Sequence, residues 1–153
     1  MKGSKKSDYA LRALVTLAEN YGSHLSIRVL SQENDIPKRF LEQIMLDLKN
    51  AHFVEGIPGR DGGYILSKPP SEISVGNLIR FFDGMIAPIG CVSQLHYESC
   101  SQEKKCKFRR IFLEIRNYSA RLMDKLTLAD LIKFSPVTEM EVLDSQYNFG
   151  GGI

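Results

Sequence analysis

The chain has 153 residues, 43% of them hydrophobic, and a formal net charge of +2. This length and apolar content fit one domain, or a small domain with an appendage, and exclude a disordered chain; the small net charge confines any nucleic-acid-binding surface to a local patch. No apolar run approaches the roughly 20 residues that span a bilayer, and Asp8, Arg12 and Glu19 interrupt the apolar stretch that a signal peptide would need. We therefore expect a cytoplasmic protein with no membrane partner, in a compartment where thiols stay reduced.

The first third of the chain predicts three helices. The first is expected over residues 8–21, with Ser7 as its N-cap and Gly22 as its stop. A short second helix follows Ser26, and Pro37 suits the first position of a third helix. An apolar stripe at helical spacing marks the inner face of the third helix: Leu41, Ile44, Met45 and Leu48.

Two short apolar runs come next, over residues 53–57 and 64–66, and a glycine-rich segment joins them. This pattern is typical of a β-hairpin. Another helix is then expected between Ser74, as its N-cap, and Gly84, as its stop. Helix, helix-turn-helix and hairpin in this order predict a winged helix-turn-helix DNA-binding domain over residues 1–86.

The residues from 87 to 107 form a polar segment that contains the only three cysteines of the chain, Cys91, Cys100 and Cys106. The thiols are separated by eight and then five residues, among Ser, Gln, Glu and Lys, so a role in core packing is not expected. An odd number cannot close a disulfide framework without leaving one thiol over. Soft thiolates gathered on a loop suit an iron–sulfur cluster or zinc.

The longest helical pattern covers residues 108–126, within a segment that we assign to a dimerisation helix and a following short helix over 108–134. Its apolar positions step by three or four residues, close to the spacing of a coiled-coil seam: Ile111, Ile115, Tyr118, Leu122 and Leu126. Such a seam predicts a homodimer. Thr127 is expected to cap the short helix, and residues 135–153 form a C-terminal tail, with too little to bury at the end of the chain.

In a helix-turn-helix, the N-terminal residues of the second helix meet base edges in the major groove. Arg suits guanine, Gln suits adenine and Glu accepts from cytosine. We therefore expect the third helix of this chain to read DNA, and a dimer would read a palindromic operator. The candidate DNA-binding residues are Lys38, Arg39, Glu42 and Gln43, together with Arg60 at the tip of the wing, which suits the minor groove.

The sequence resembles the bacterial iron–sulfur regulators typified by IscR and NsrR. The resemblance covers residues 1 to about 132 and is carried by SKKSDYALRALVTLA, IPKRFLEQIMLDLKNAHFV and GRDGGYILSKPPSEISVGNLIRFFDG. The fold it implies is mainly α with a small hairpin wing and a long dimerisation helix. It also implies that the three cysteines hold a cluster, 2Fe–2S in preference to 4Fe–4S, which controls promoter binding in response to redox state, nitric oxide or iron–sulfur status.

Three thiolates leave one ligand position open. IscR-type proteins fill it with a histidine three residues after the last cysteine, where this chain has Arg109, which stays protonated and does not bind iron. NsrR-type proteins use an aspartate from the first helix of the partner subunit, and Asp8 matches that position. His96 is the second candidate, and Glu98 and His52 are weaker ones.

Two other readings of the cysteine segment stay open. Zinc would make the segment a structural element of a DNA-binding module, and a metal-free segment would respond to redox state through thiol chemistry. Catalysis by a cysteine with His96 as its base is not expected, because no third residue that would orient the base accompanies them. The chain is therefore expected not to be an enzyme.

Overall fold

The fold is known from a computed structural model that describes residues 4–84 and 87–143. The described residues form helices α1 (Lys5–Glu19), α2 (Ile27–Glu33), α3 (Lys38–Asn50), α4 (Val75–Asp83), α5 (Arg109–Lys125), α6 (Leu128–Leu131) and α7 (Glu139–Leu143), and strands β1 (Val54–Ile57) and β2 (Gly63–Leu66). The predicted fold, mainly helical with a small hairpin, is confirmed. None of the described helices has the length and apolar character that crossing a bilayer requires.

The core lies between α1, α3 and α4, and the helix-turn-helix of α2 and α3 is built onto it. All four residues of the predicted α3 stripe are buried: Leu41, Ile44, Met45 and Leu48. Ala10, Ala13 and Leu14 of α1 pack in the same cluster. Small residues on α1 let α1 and α3 approach closely. Because the apolar stripe of α3 faces this core, its polar face is turned away from it.

The wing is an antiparallel pair in which Val54 lies opposite Leu66 and Ile57 lies opposite Gly63. Leu25 adds a short third segment, because its N–H and carbonyl both bond to Tyr64, at 2.9 and 2.8 Å. A side chain at Gly63 would place its Cβ 2.2 Å from the Leu25 carbonyl oxygen, so this close approach requires glycine. The hairpin is thereby fixed to the chain just before α2.

The first helix begins three residues earlier than predicted. Ser4, and not Ser7, is its N-cap, and the Ser4 hydroxyl accepts the Ser7 N–H at 3.2 Å. Ser7 lies inside the helix, where its buried hydroxyl donates to the Asp83 carboxylate at 2.6 Å. Burial raises the pKa of Asp83, but hydrogen bonds from Ser4 and Ser7 outweigh it and hold that pKa below its ordinary value.

The other boundaries differ from the predictions by one or two residues. Pro37 is the N-cap of α3 and not its first helical residue. Ser26 and Ser74 cap α2 and α4 as predicted, through side-chain oxygens that accept backbone N–H groups. Thr127 forms the predicted capping box with Asp130.

Helix α5 leaves the core and the chain returns to it immediately afterwards. The Val75 N–H donates to the Leu126 carbonyl at 2.8 Å, and the Leu128 N–H donates to the Ile73 carbonyl at 3.0 Å. The Leu128 side chain is fully buried in the core of the DNA-binding domain. The short helix after α5 is thus part of that core. The C-terminal tail is described as far as Leu143, and the chain end over residues 144–153 lies outside the described residues.

We predict that Leu128→Ala lowers the free energy of unfolding by about 2–5 kcal/mol, because it leaves a cavity in a closely packed core. Leu143→Ala is the matched control. It removes the same atoms from a side chain that is 67% exposed, and should change stability by less than about 0.5 kcal/mol. Urea unfolding of the two variants measures the difference, and equal stabilities would show that α6 is not held in the core.

Candidate nucleic-acid interface and cysteine cleft

The polar face of α3 presents all four predicted base-reading residues to solvent. Lys38, Arg39, Glu42 and Gln43 are exposed, on the side opposite the buried stripe. The Lys38 ammonium lies 3.8 Å from the Glu42 carboxylate, a weak exposed pair that DNA can break at little cost. The face therefore offers positive charge, a carboxylate acceptor and an amide in the first two turns of one helix.

Phe40 lies on the same face, and the sequence analysis did not select it. Phe40 is 64% exposed. Together with Tyr9 and the stems of Lys5 and Lys6 it lines an apolar hollow of about 370 Å³ between α1 and α3. An aromatic ring on a reading helix suits contact with a thymine methyl group. The sequence signal for Phe40 was its position one residue before Leu41, which places it off the buried stripe of α3.

Arg60 lies in the turn between β1 and β2, exposed at the tip of the wing as predicted. The turn is tied back to the body of the domain by a 2.7 Å hydrogen bond between His24 Nε2 and the Asp61 carbonyl. Arg60 therefore extends from an anchored turn, separate from the α3 face.

The three cysteines are free thiols that line one cleft of about 490 Å³ at the start of α5. Cys100 is exposed, while Cys91 and Cys106 are partly covered. Ile89 and Phe108 give the cleft an apolar rim. Within residues 4–84 and 87–143, no three Cys, His, Asp or Glu side chains are close enough together to form a preformed ion site. The fold thus gathers the thiols around one cavity without closing them on a common point.

Arg109 organises the cleft. Its Nε and Nη2 donate to the Cys91 carbonyl at 3.1 and 2.6 Å, and its Nη1 lies 3.5 Å from the Glu103 carboxylate. Glu103 in turn accepts the Tyr97 hydroxyl at 2.6 Å and the Cys100 N–H at 3.0 Å. This arrangement, which we call the Arg109 clasp, connects the backbone of Cys91 to that of Cys100. Sequence reasoning excluded Arg109 as a ligand but missed this role.

The charges of the clasp are mutually reinforcing. The hydrogen bond from Tyr97, with that from the Cys100 N–H, lowers the pKa of Glu103, so this carboxylate stays ionised at neutral pH. The same bond raises the pKa of Tyr97, which stays a donor. A second arginine, Arg116, donates to the Val92 carbonyl at 2.7 Å. Helix α5 therefore holds the backbone of the cysteine segment at two neighbouring residues, Cys91 and Val92.

The candidate fourth ligands lie in different places. Asp8 is on the exposed side of α1, paired with Arg12 at 2.8 and 3.1 Å, and does not line the cleft of its own chain. His96 and Glu98 are exposed in the cysteine segment, where they lie against Gly84 and Gly90. His52 has a φ of 59° just beyond the end of α3, away from the cysteine segment along the chain.

Four residues of the predicted seam lie on α5 and are exposed in the single chain, while the fifth, Leu126, follows the helix and is half-buried. Ile111, Tyr118 and Leu122 are 61%, 65% and 48% exposed, and Ile115 is 40% exposed. A contiguous row of large apolar side chains on one helix is typical of an interaction surface. The opposite side of α5 packs on α4, where Arg80 and Asp124 form an ion pair and Gly76 admits Asp124 closely.

Comparison with known proteins places this architecture among bacterial regulators. A family model described as "Rrf2: Iron-dependent Transcriptional regulator" matches residues 3–134. An rrf2-like HTH-type transcriptional regulator of Rhodobacter capsulatus is 40% identical over 84% of this chain and 91% of its own length. NsrR of Geobacillus kaustophilus is 29% identical over 87% of this chain and 90% of its own length.

The solved structures agree with the sequence relatives. That of CymR, described as the global cysteine regulator of Bacillus subtilis, superposes with a TM-score of 0.76 and 31% identity. The match covers 89% of this chain and 99% of CymR. The predicted resemblance to IscR- and NsrR-type regulators is confirmed at the level of the family they share.

We predict that Arg109→Ala loosens the cysteine segment, because the connection from the Cys91 carbonyl to Glu103, which holds the Cys100 N–H, passes through its guanidinium. The Cys100 amide should exchange with solvent several-fold faster, and hydrogen exchange followed by NMR measures it. Arg110→Ala is the control, since Arg110 pairs only weakly, with Glu114 at 3.8 Å. Acid should act like the mutation, since the lowered pKa of Glu103 keeps the clasp intact until the pH falls below that value. An unchanged exchange rate in Arg109→Ala would show that the Arg109 clasp does not hold the cysteine segment.

Proposed function

The chain belongs to the Rrf2 family of transcriptional regulators, and on this premise we propose that it is a homodimer whose promoter binding is controlled by an iron–sulfur cluster. Cys91, Cys100 and Cys106 would hold the cluster. The observation that carries the proposal is their convergence, as free thiols, on one cleft at the base of the helix that bears the exposed seam. The proposed place of action is the cytoplasm, where thiols stay reduced.

The proposed mode of DNA binding uses two copies of the reading face. Pairing through the α5 seam would present two α3 helices to successive major grooves, about 34–36 Å apart, on an imperfect palindrome. Arg39 and Gln43 are suited to guanine and adenine, and Lys38 to guanine or phosphate. Arg60 would reach the neighbouring minor groove from the anchored wing.

The residues of the cleft fit a cluster by their chemistry. Three thiols on a segment held by Arg109 and Arg116 are soft donors, and Ile89 and Phe108 add apolar surface beside them. A bound cluster supplies redox and ligand-exchange chemistry. The donors are not yet at ligating distances, so loading requires the segment around Cys100, the exposed cysteine, to close on the other two.

The proposed switch acts through the first helix. The cysteine segment follows α4, whose last residue, Asp83, bonds to Ser4 and Ser7 at the start of α1. Asp8 lies one residue further on, and as a ligand to the partner's cluster it would tie the loop of one subunit to the reading domain of the other. Loss of the cluster would release that tie and change the separation of the two α3 helices.

A metal-free thiol regulator is the second candidate function. A DNA-binding module in which the same three cysteines bind structural zinc is the third. The similarity to CymR of Staphylococcus aureus, for which an oxidised form has been solved, supports the metal-free thiol form. In it, oxidation of two of the three thiols to a disulfide would lock the segment without a cluster.

We predict that the protein purified without oxygen is brown and contains iron and sulfide. Replacing any one of Cys91, Cys100 and Cys106 with Ala should abolish the visible absorption and change operator affinity together, since each removes a ligand. Ultraviolet–visible spectra, metal analysis and DNA-binding titrations measure these effects. A colourless wild-type protein that contains zinc would support the zinc-stabilised module. A colourless protein without metal would support the metal-free thiol regulator. Cysteine variants that bind DNA as the loaded protein does would show that the cluster is no switch.

We predict that Asp8→Ala leaves the fold intact and shortens the lifetime of the cluster on exposure to nitric oxide or air, because Asp8 would fill the fourth position. Glu19→Ala, at the other end of α1, is the charge-matched control. Spectral decay gives the lifetimes. A wild-type lifetime in Asp8→Ala, with a reduced one in His96→Ala, would transfer the role to His96.

We predict that Leu122→Asp converts a dimer to a monomer at micromolar concentration, because a charge would be buried in the proposed seam. Arg121→Asp, beside it on α5, changes charge more but lies off the seam and should leave the dimer intact. Sedimentation equilibrium measures the mass. A wild-type monomer at this concentration would contradict the proposed dimer.

A further inference from the structure

One carboxylate connects the first helix to a base-reading side chain. Asp47, on α3, accepts the Lys6 ammonium on Oδ2 at 2.6 Å and the Gln43 amide nitrogen on Oδ1 at 3.1 Å. The two oxygens of Asp47 are therefore divided between a residue of α1 and the amide that the proposed function assigns to DNA.

The chemistry of these partners fixes the direction of the Gln43 amide. An ionised carboxylate only accepts hydrogen bonds, so the amide must turn its nitrogen, and not its oxygen, toward Asp47. Among the described residues, its second N–H and its oxygen have no other partner. Adenine offers N7 as an acceptor and its N6 amino group as a donor in the major groove, which is the complement of that free pair.

Asp47 is itself held ionised and in place. The Lys6 hydrogen bond lowers its pKa; burial opposes this, and the Gln43 bond adds to the lowering. Lys6 lies between Asp47 and the ring of Phe82 on α4, with its Nζ 5.6 Å from the ring centroid. The Asp47 side chain is 24% exposed, so solvent screens this contact less than it screens the exposed pairs of the reading face.

We propose that Lys6 and Asp47 are positioning residues that preset the Gln43 amide to read adenine. The inference rests on the proposed reading face of α3 and adds the residues that give one of its members a fixed polarity. A glutamine amide without such a partner rotates freely and must be ordered when DNA binds, so the preset amide discriminates better.

The neighbouring lysine separates positioning from simple charge. Lys5 has the same charge at the same helix end, but forms no ion pair or hydrogen bond with Asp47. Removing a lysine that contacts only phosphate weakens binding to all sequences alike. It also lowers the slope of log affinity against log salt concentration by about one unit. A positioning lysine changes the preference at one base pair instead.

The test uses the full-length protein and duplexes that the wild type selects from a random library. Affinities are measured by fluorescence anisotropy for each selected duplex and for its single base-pair changes, at several salt concentrations. The variants are Gln43→Ala, Asp47→Ala, Lys6→Met and the control Lys5→Met. The side-chain amide resonances of Gln43, followed by NMR without DNA, report its orientation independently of binding.

Gln43→Ala and Asp47→Ala should each reduce the preference for the same A·T pair by about 5–150-fold, the range for a good bidentate contact. The double variant should discriminate no worse than Gln43→Ala alone, since the two residues act as one unit. Lys6→Met should lose part of the preference, and Lys5→Met none. The hydrogen-bonded Gln43 amide proton should shift in Asp47→Ala.

The outcomes separate the inference from its premise. If Gln43→Ala loses the A·T preference while Asp47→Ala keeps it, the positioning role is overturned and the reading face stands. If Lys6→Met and Lys5→Met weaken all duplexes equally, Lys6 is only a phosphate contact. If Gln43→Ala retains every preference, the proposed reading face itself is wrong.

Discussion

The burial of Leu128 constrains the rest of the molecule. This side chain fills the core of the DNA-binding domain, and two backbone hydrogen bonds, to Ile73 and from Val75 to Leu126, fasten the chain on either side of it. Helix α5 must therefore end at the domain and extend away from it, packed on α4. Its apolar seam faces outward because the inner side is occupied, and its N-terminal end reaches the cysteine segment. One anchor thus orients both the candidate dimer surface and the candidate sensor relative to the reading helix.

At the other end of α5 lies Arg109, at the position where the resemblance to IscR-type regulators implies a histidine ligand. The Arg109 guanidinium cannot bind a metal, but its donors match a carbonyl and a carboxylate, and it uses them to join the backbones of Cys91 and Cys100 through Glu103. A segment held in this way keeps its thiols around one cleft in the absence of a metal. The segment is then already ordered in the apo protein. Closing on a cluster, or forming a disulfide, therefore costs less conformational entropy.

Local sequence patterns predicted most of the fold because each element has its own signal. The α3 stripe, the Ser26 and Ser74 caps and the Thr127 capping box all depend on residues within a few positions of one another. The prediction for the start of α1 was wrong because Ser4 and Ser7 are both acceptable caps by local rules. Asp83, which is 76 residues from Ser7, decides between them. The Arg109–Cys91 bonds and the Lys6–Asp47 pair were missed because their partners are far apart along the chain. The Gln43–Asp47 bond joins residues four apart on one helix, so its spacing was visible in the sequence.

These long-range contacts bear on how a signal at the cysteines would reach DNA in the proposed switch. Asp83 at the end of α4 bonds to Ser4 and Ser7 at the start of α1, and Lys6, in the same turn, bonds to Asp47 on the reading helix. A tenfold change in operator affinity corresponds to about 1.4 kcal/mol. One hydrogen bond contributes about 0.5–1.5 kcal/mol net, so altering two or three of these contacts together is of sufficient size. No large rearrangement of the core is needed, because the contacts lie at the junction of three helices that already pack as one body. In the proposed switch, these contacts would connect the cysteine segment to the reading helix through α4 and α1, although the two are far apart in the sequence.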